Sequence, residues 1–277
     1  MMMMVIAIMN ICVLICRVAC GAVWPDRNCG RRQLKSRPRI VGGRPAEARE
    51  FPWIVSIQWA QDSHSCGGSI ISADVVLTAA HCLGKLIPRL TRVQAGFINL
   101  KNTGPCKQVR FASEFILHED YEPHPHYAND VALIKLSRPF NLEKSHGYIG
   151  TICLPESSSM ANNILVAGWG RLSHHGQFPD SLMAAVVSLQ TSQICTEHDK
   201  TYNHSIMFCA HRPGIDACVG DSGGPASQEK GNVAVQVGIV SFGQICANGT
   251  GYYVRLSTFT SWIKDHMIKL GYTVKSA

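Results

Sequence analysis

The sequence predicts an all-β fold closed by a single C-terminal helix. Short apolar runs separated by turn residues recur along the chain, and its 24 glycines and 13 prolines are scattered rather than periodic. Only the C-terminal segment carries apolar residues at helical spacing.

The first strand is read at Phe51-Pro-Trp53-Ile-Val55-Ser-Ile57-Gln-Trp59, where every second residue is large and apolar, as a half-buried strand requires. Val75–Leu77, Val131–Leu136, Ile164–Ala167 and Val233–Ser241 read as further strands, separated by loops rich in Gly, Pro, Asn and His. For the terminal helix, Thr258 or Ser261 serves as the cap, and Phe259, Ile263, Met267 and Leu270 form its apolar stripe.

The ends of the chain read differently. Met1 to Cys16 is apolar apart from Asn10, and small residues follow at Ala19, Gly21 and Ala22, so residues 1–22 read as a signal peptide. No lysine or arginine precedes the apolar run, which leaves a signal anchor as the other reading. Residues 23–39, charged and without a hydrophobic period, read as a propeptide, and 40–277 as the folded domain. The formal charge of +7 is concentrated in the leader. Seven basic residues face Asp26 alone within 1–39, a net +6, which leaves +1 for the rest and argues against nucleic acid or heparin as a partner. Nine cysteines lie beyond the leader's Cys12, Cys16 and Cys20, a load that fits an oxidising compartment. None sits in a C-x-x-C spacing, so a zinc or redox dithiol site is not expected.

Three segments carry chemistry. Leu77-Thr-Ala-Ala-His81-Cys82 places a histidine at the end of an apolar strand, Asn129-Asp130 sets a carboxylate just before one, and Gly220-Asp221-Ser222-Gly223-Gly224-Pro225 sets a serine among glycines. Peptide hydrolysis needs a nucleophile, a base, a group that orients the base, and donors for the developing oxyanion.

In the order His, Asp, Ser, and together with Ile40-Val-Gly-Gly, these segments resemble the chymotrypsin-fold serine proteases of the trypsin-like type, from Ile40 to about Leu270. The resemblance implies two packed six-stranded antiparallel β-barrels with a C-terminal α-helix. It implies Ser222 as nucleophile, His81 as base, Asp130 as its orienting carboxylate, and the Gly220 and Ser222 amides as oxyanion hole. Cleavage after Arg39 would free the Ile40 amino group to pair with Asp221. Asp216 would floor a pocket for arginine or lysine, with Gly243 and Gly251 in its walls and Ser241-Phe242-Gly243 pairing with substrate backbone.

The same resemblance implies the disulfides Cys29–Cys153, Cys66–Cys82, Cys195–Cys209 and Cys218–Cys246. A further family bridge is missing at both ends, with Ile164 and Gln228 in its positions, and Cys106 is left as the candidate free thiol. Sequons stand at Asn203 and Asn248. Phe242, Val219 and His211 depart from the common trypsin pattern. No carboxylate lies in Asn99–Gln108, so calcium is not expected, and His124 and His126 are read as solvated loop residues rather than zinc ligands. No cofactor is expected. The implied partners are protein or peptide substrates, protein inhibitors and an activating protease, for a secreted chain not associated with a membrane. Two rival readings remain: a catalytically dead relative acting as a binding module, and a cationic antimicrobial or glycosaminoglycan binder on the same fold.

Overall fold

In a computed structural model, residues 22–33, 43–59, 63–101, 104–123, 127–172, 176–213, 219–243 and 249–274 are described. Two short strands come first, β1 (Val23–Trp24) and β2 (Arg44–Pro45). The next six are β3 (Ile54–Trp59), β4 (Ser63–Ser72), β5 (Val75–Thr78), β6 (Arg92–Ala95), β7 (Gln108–Leu117) and β8 (Ala132–Leu136). They close into an antiparallel barrel in the order β3-β4-β5-β8-β7-β6. The second set is β9 (Asn163–Gly168), β10 (Met183–Leu189), β11 (Met207–His211), β12 (Pro225–Lys230), β13 (Val233–Gly243) and β14 (Gly251–Arg255). It runs β11-β14-β13-β12-β9-β10, a β10–β11 pairing completes the ring, and β2 adds to the edge of β10. Two six-stranded barrels are therefore present, and closure removes the open edges that a flat sheet would leave.

Each barrel has its own apolar filling, Val55, Ile57, Ile70, Val76, Val93 and Ile134 in the first, and Ile164, Val166, Val187, Phe208, Val237 and Tyr253 in the second. A third cluster joins the barrels to the C-terminal helix through Trp53, Trp169, Phe259, Ile263 and Met267. Burying one such side chain contributes on the order of 1.5–3 kcal/mol.

β3 begins at Ile54 rather than Phe51, and it is buried on both faces down to Gln58. The polar positions of the alternation face a hydrogen-bonded interior rather than water. Gln94 Nε2 donates to Gln58 Oε1 at 2.6 Å, and Gln58 Nε2 donates to Ser56 Oγ at 3.3 Å. An alternating pattern cannot distinguish solvent from a satisfied polar layer.

Two α-helices are present among the described residues. α1 (Ser192–His198) was not expected, because seven residues with only Cys195 buried carry no readable period. Its cap is Thr191, whose Oγ1 accepts from the Ile194 N–H. α2 (Leu256–Lys269) buries Phe259, Ile263 and Met267 as expected. The expected caps are not used: the helix starts at Leu256 without a side-chain cap, and Thr258 Oγ1 instead donates to the Ser205 carbonyl at 2.6 Å.

Residues 22–33 lack a period yet are built into the fold. β1 pairs in parallel with β15 (Thr273–Val274), and Trp24, only 3% exposed, donates from Nε1 to the Ile71 carbonyl at 3.0 Å. Cys29 is bonded to Cys153, with Gly30 N–H on the Thr151 carbonyl and Ala234 N–H on the Gly30 carbonyl. Arg32 pairs with Glu229 at 2.8 Å.

Candidate active site

Asp130 follows the left-handed Asn129 and is 1% exposed. Burying a carboxylate is costly unless donors surround it, and here three do. Its Oδ1 accepts from the His81 backbone N–H at 2.9 Å, and its Oδ2 accepts from His81 Nδ1 at 2.7 Å and from Ser241 Oγ at 2.5 Å. The Ser241 contact depends on a bulge: the β13–β14 register shifts between Val240 and Phe242, which leaves Ser241 outside the ladder. A carboxylate only accepts, so it fixes the imidazole in the tautomer with the proton on Nδ1 and leaves the Nε2 lone pair available to take a proton. Near that nitrogen lies Cys82 Sγ, 3.8 Å away. Cys66, His81 and Cys82 cluster closely enough to suggest a metal site, but both sulfurs belong to the Cys66–Cys82 bridge and offer no thiolate.

Ser222 sits in a turn packed on β4 and on the end of β5 at Thr78, three residues before His81. Its carbonyl accepts from Gly67 N–H at 2.8 Å, and Gly67 adjoins the Cys66–Cys82 bridge. Gly223 has φ +78°, and a Cβ there would lie 2.2 Å from Thr78 Oγ1, so only glycine allows this approach.

The Gly220 and Ser222 amides are oriented by their own peptide units. In a planar trans peptide the N–H points opposite the preceding carbonyl. The Val219 carbonyl accepts from Arg171 N–H at 2.9 Å and the Asp221 carbonyl accepts from Gly224 N–H at 2.9 Å, which turns both N–H groups the other way. Gly220 itself has φ +102°, and its carbonyl accepts from His64 Nε2 at 2.8 Å. His64 Nδ1 in turn accepts from Ser56 Oγ at 2.9 Å. Burial pushes the His64 pKa down, with the Gly220 carbonyl pulling the other way. Asp221 Oδ1 accepts from Gly170 N–H at 2.7 Å, where a Cβ on Gly170 would strike the carboxylate.

Gly243 and Gly251 lie directly opposite each other across β13 and β14. Phe242 stacks on Tyr252 with ring centroids 4.7 Å apart and planes 8° from parallel. Tyr127 bridges that stack to the histidine, edge-on to His81 at 5.4 Å and 5.8 Å from Phe242. Tyr252 donates its hydroxyl to the Cys195 carbonyl, and burial pushes its pKa up to about 12. His211 Nδ1 donates to the Gly249 carbonyl at 2.7 Å, so this departure from the common pattern ties the end of β11 to the residues that lead into β14. Val219 is 59% exposed beside Gly220.

The Cys29–Cys153, Cys66–Cys82 and Cys195–Cys209 bridges are formed, and Cys106 is a half-buried free thiol among the described residues. At the positions of the missing bridge Ile164 is fully buried, while Gln228 Nε2 donates to the carbonyls of Ala161 and Asn163 and its Oε1 accepts from Ala161 N–H. Asn203 is exposed, its Oδ1 accepting from the backbone and hydroxyl of Ser205. Arg39, Ile40, Asp216, the Cys218–Cys246 pair, Asn248, His124 and His126 lie outside the described residues. The supporting His64, Thr78, Tyr127 and Arg171 were not singled out from sequence, because each acts through a contact distant along the chain.

No helix among the described residues is long and apolar enough to cross a membrane. The family model for Trypsin matches residues 40–263. Transmembrane protease serine 11C of Mus musculus is 36% identical, over 85% of this chain and 55% of its own length. The chain thus spans little more than half of that relative. Hypodermin-B of Hypoderma lineatum is 35% identical over 92% of this chain and 96% of its own, and Phenoloxidase-activating factor 3 of Holotrichia diomphalia is 33% identical over 90% and 80%. With the barrels, the buried His81–Asp130 pair and this match in agreement, the chain belongs to the trypsin family of chymotrypsin-fold serine proteases.

Proposed function

We propose that the chain is the secreted zymogen of an endopeptidase that hydrolyses peptide bonds after arginine or lysine. The observation that carries the reading is the Asp130 carboxylate, which takes both the backbone N–H and Nδ1–H of His81 and so leaves the Nε2 lone pair free to accept a proton. Ser222 Oγ attacks the scissile carbonyl carbon while its proton passes to His81 Nε2. The oxyanion is held by the Gly220 and Ser222 amides, whose directions are fixed by Arg171 and Gly224. Collapse breaks the C–N bond, His81 protonates the departing amine, and water releases the acyl group by the same route.

Arg or Lys preference rests on Asp216, whose carboxylate matches a cationic side chain. Activation is cleavage after Arg39, with the new Ile40 amine paired to Asp221. Three disulfides support passage through an oxidising compartment and hence secretion. The test is hydrolysis of small Arg, Lys and Phe substrates after controlled cleavage at Arg39, with Ser222→Ala in parallel. Arg or Lys turnover absent from the variant supports the reading. No turnover with Ile40 verified as the new terminus would favour a binding module instead.

A further inference from the structure

A groove of about 1340 Å³ runs between residues 26–33 and the first barrel, and four arginines, Arg31, Arg49, Arg110 and Arg138, line it. None of its lining residues belongs to the proposed triad or oxyanion hole. Among the described residues none of the four arginines is within ion-pair distance of a carboxylate. The groove also contains Asp26 and Glu143, but the Asp26 carboxylate is already occupied by Thr151 Oγ1 at 3.0 Å and Asn28 N–H at 2.9 Å.

Two of the guanidinium groups are held in place. Arg110 donates from Nε to the Pro139 carbonyl, from Nη1 to the Val109 carbonyl and from Nη2 to Gln108 Oε1, and it lies 5.2 Å from the Phe140 ring centre. Arg49 has φ +68°, a left-handed conformation that costs a non-glycine residue energy, and its guanidinium lies 4.6 Å over the Tyr148 ring. Arg138 is close enough to Arg110 to repel it: burial first, and then the Arg138 charge, push the Arg110 pKa down. Cationic groups held in place without a direct ion-pair partner are set up to receive an anion at a small ordering cost.

We propose that this groove is a docking site for an acidic polypeptide segment of a partner protein. Guanidinium forks pair bidentately with spaced carboxylates. Leu142, half-buried in the same wall, gives an interleaved apolar residue a seat. The acidic walls at Asp26 and Glu143 disfavour a uniformly sulfated chain, whereas a peptide can place its carboxylates between them. The near-neutral charge of residues 40–277 conceals such a site, since Arg31 comes from the leader and the groove forms only when residues 26–33 pack on the barrel.

The test is fluorescence anisotropy on the full, uncleaved chain with a labelled peptide of about twelve residues alternating glutamate with leucine. Arg31 and Arg138 are both exposed, so the Arg31→Gln/Arg138→Gln variant should fold, and an unchanged melting temperature verifies that it has. The peptide is expected to bind at about 50 mM salt, with affinity falling about tenfold in the variant and falling again at about 200 mM salt. A glutamine-for-glutamate peptide is expected not to bind. Failure of the acidic peptide to bind at low salt, or equal binding by the variant, overturns the proposal. So does tighter binding of a sulfated oligosaccharide that is lost in the variant, which would assign the groove to a glycan.

Discussion

His64 Nε2 donates to the carbonyl of Gly220 at 2.8 Å, across 156 residues of sequence, and so ties the first barrel to the proposed oxyanion hole. Burial holds this imidazole below its usual 6.5. Between the folded and unfolded values the unfolded chain binds more protons, so the stabilisation is complete above about pH 6.5 and is lost as pH falls through that window. Stability should therefore decline by up to about 1.4 kcal/mol per pH unit there. His64→Phe should remove this part of the slope in denaturant titrations, and an unchanged slope would refute it.

Asp130→Asn should leave the fold intact and lower kcat by about 10⁴-fold. A carboxamide presenting its NH₂ would force Nδ1 to accept, moving the proton to Nε2 where it blocks transfer from Ser222. The discriminating measurement is single-turnover acylation together with imidazole NMR, because a merely structural role for Asp130 would not switch the tautomer.

At the site of the absent bridge, Gln228 makes three hydrogen bonds to the 161–163 backbone. Gln228→Leu should cost about 1–3 kcal/mol for the buried groups left unpaired. Ile164→Cys with Gln228→Cys should restore a covalent link, since Ser227 pairs with Leu165 and so sets the two positions beside each other. Thiol titration of the unfolded protein, with and without reductant, reads whether that bond has formed.

Trp24→Ala should destabilise the chain by about 3–5 kcal/mol. For a domain of this size that is a melting-temperature drop on the order of 10 °C. The Cys29–Cys153 bridge remains in this variant, so a normal melting temperature would mean that the disulfide alone holds the segment.

The family is legible because the types and order of a few residues are restrictive: a histidine before a cysteine, a carboxylate before an apolar strand, a serine between glycines. Strands with apolar runs, such as 233–243, were legible for the same reason. What could not be read was anything set by distant pairing. The charge and proline of residues 22–33 hide a buried tryptophan whose partner is Ile71. Ser56 and Gln58 look solvent-facing until Gln94 and His64 are brought beside them. Arg171 is an ordinary loop residue in sequence, and only its hydrogen bond to the Val219 carbonyl links it to the site.

β1, near the start of the chain, is completed by β15, near its end. During synthesis Val23 and Trp24 leave the ribosome more than two hundred residues before Thr273 and Val274. At translation rates of about 5–20 residues per second, that interval is roughly 10–50 s. Cys29 must also wait for Cys153, 124 residues on, so for about the first half of that interval the segment carries an oxidisable thiol as well as an undocked indole. A segment made early therefore docks fully only after β15 has emerged, and a product truncated before residue 273 would present Trp24 and its neighbours to chaperones and proteases.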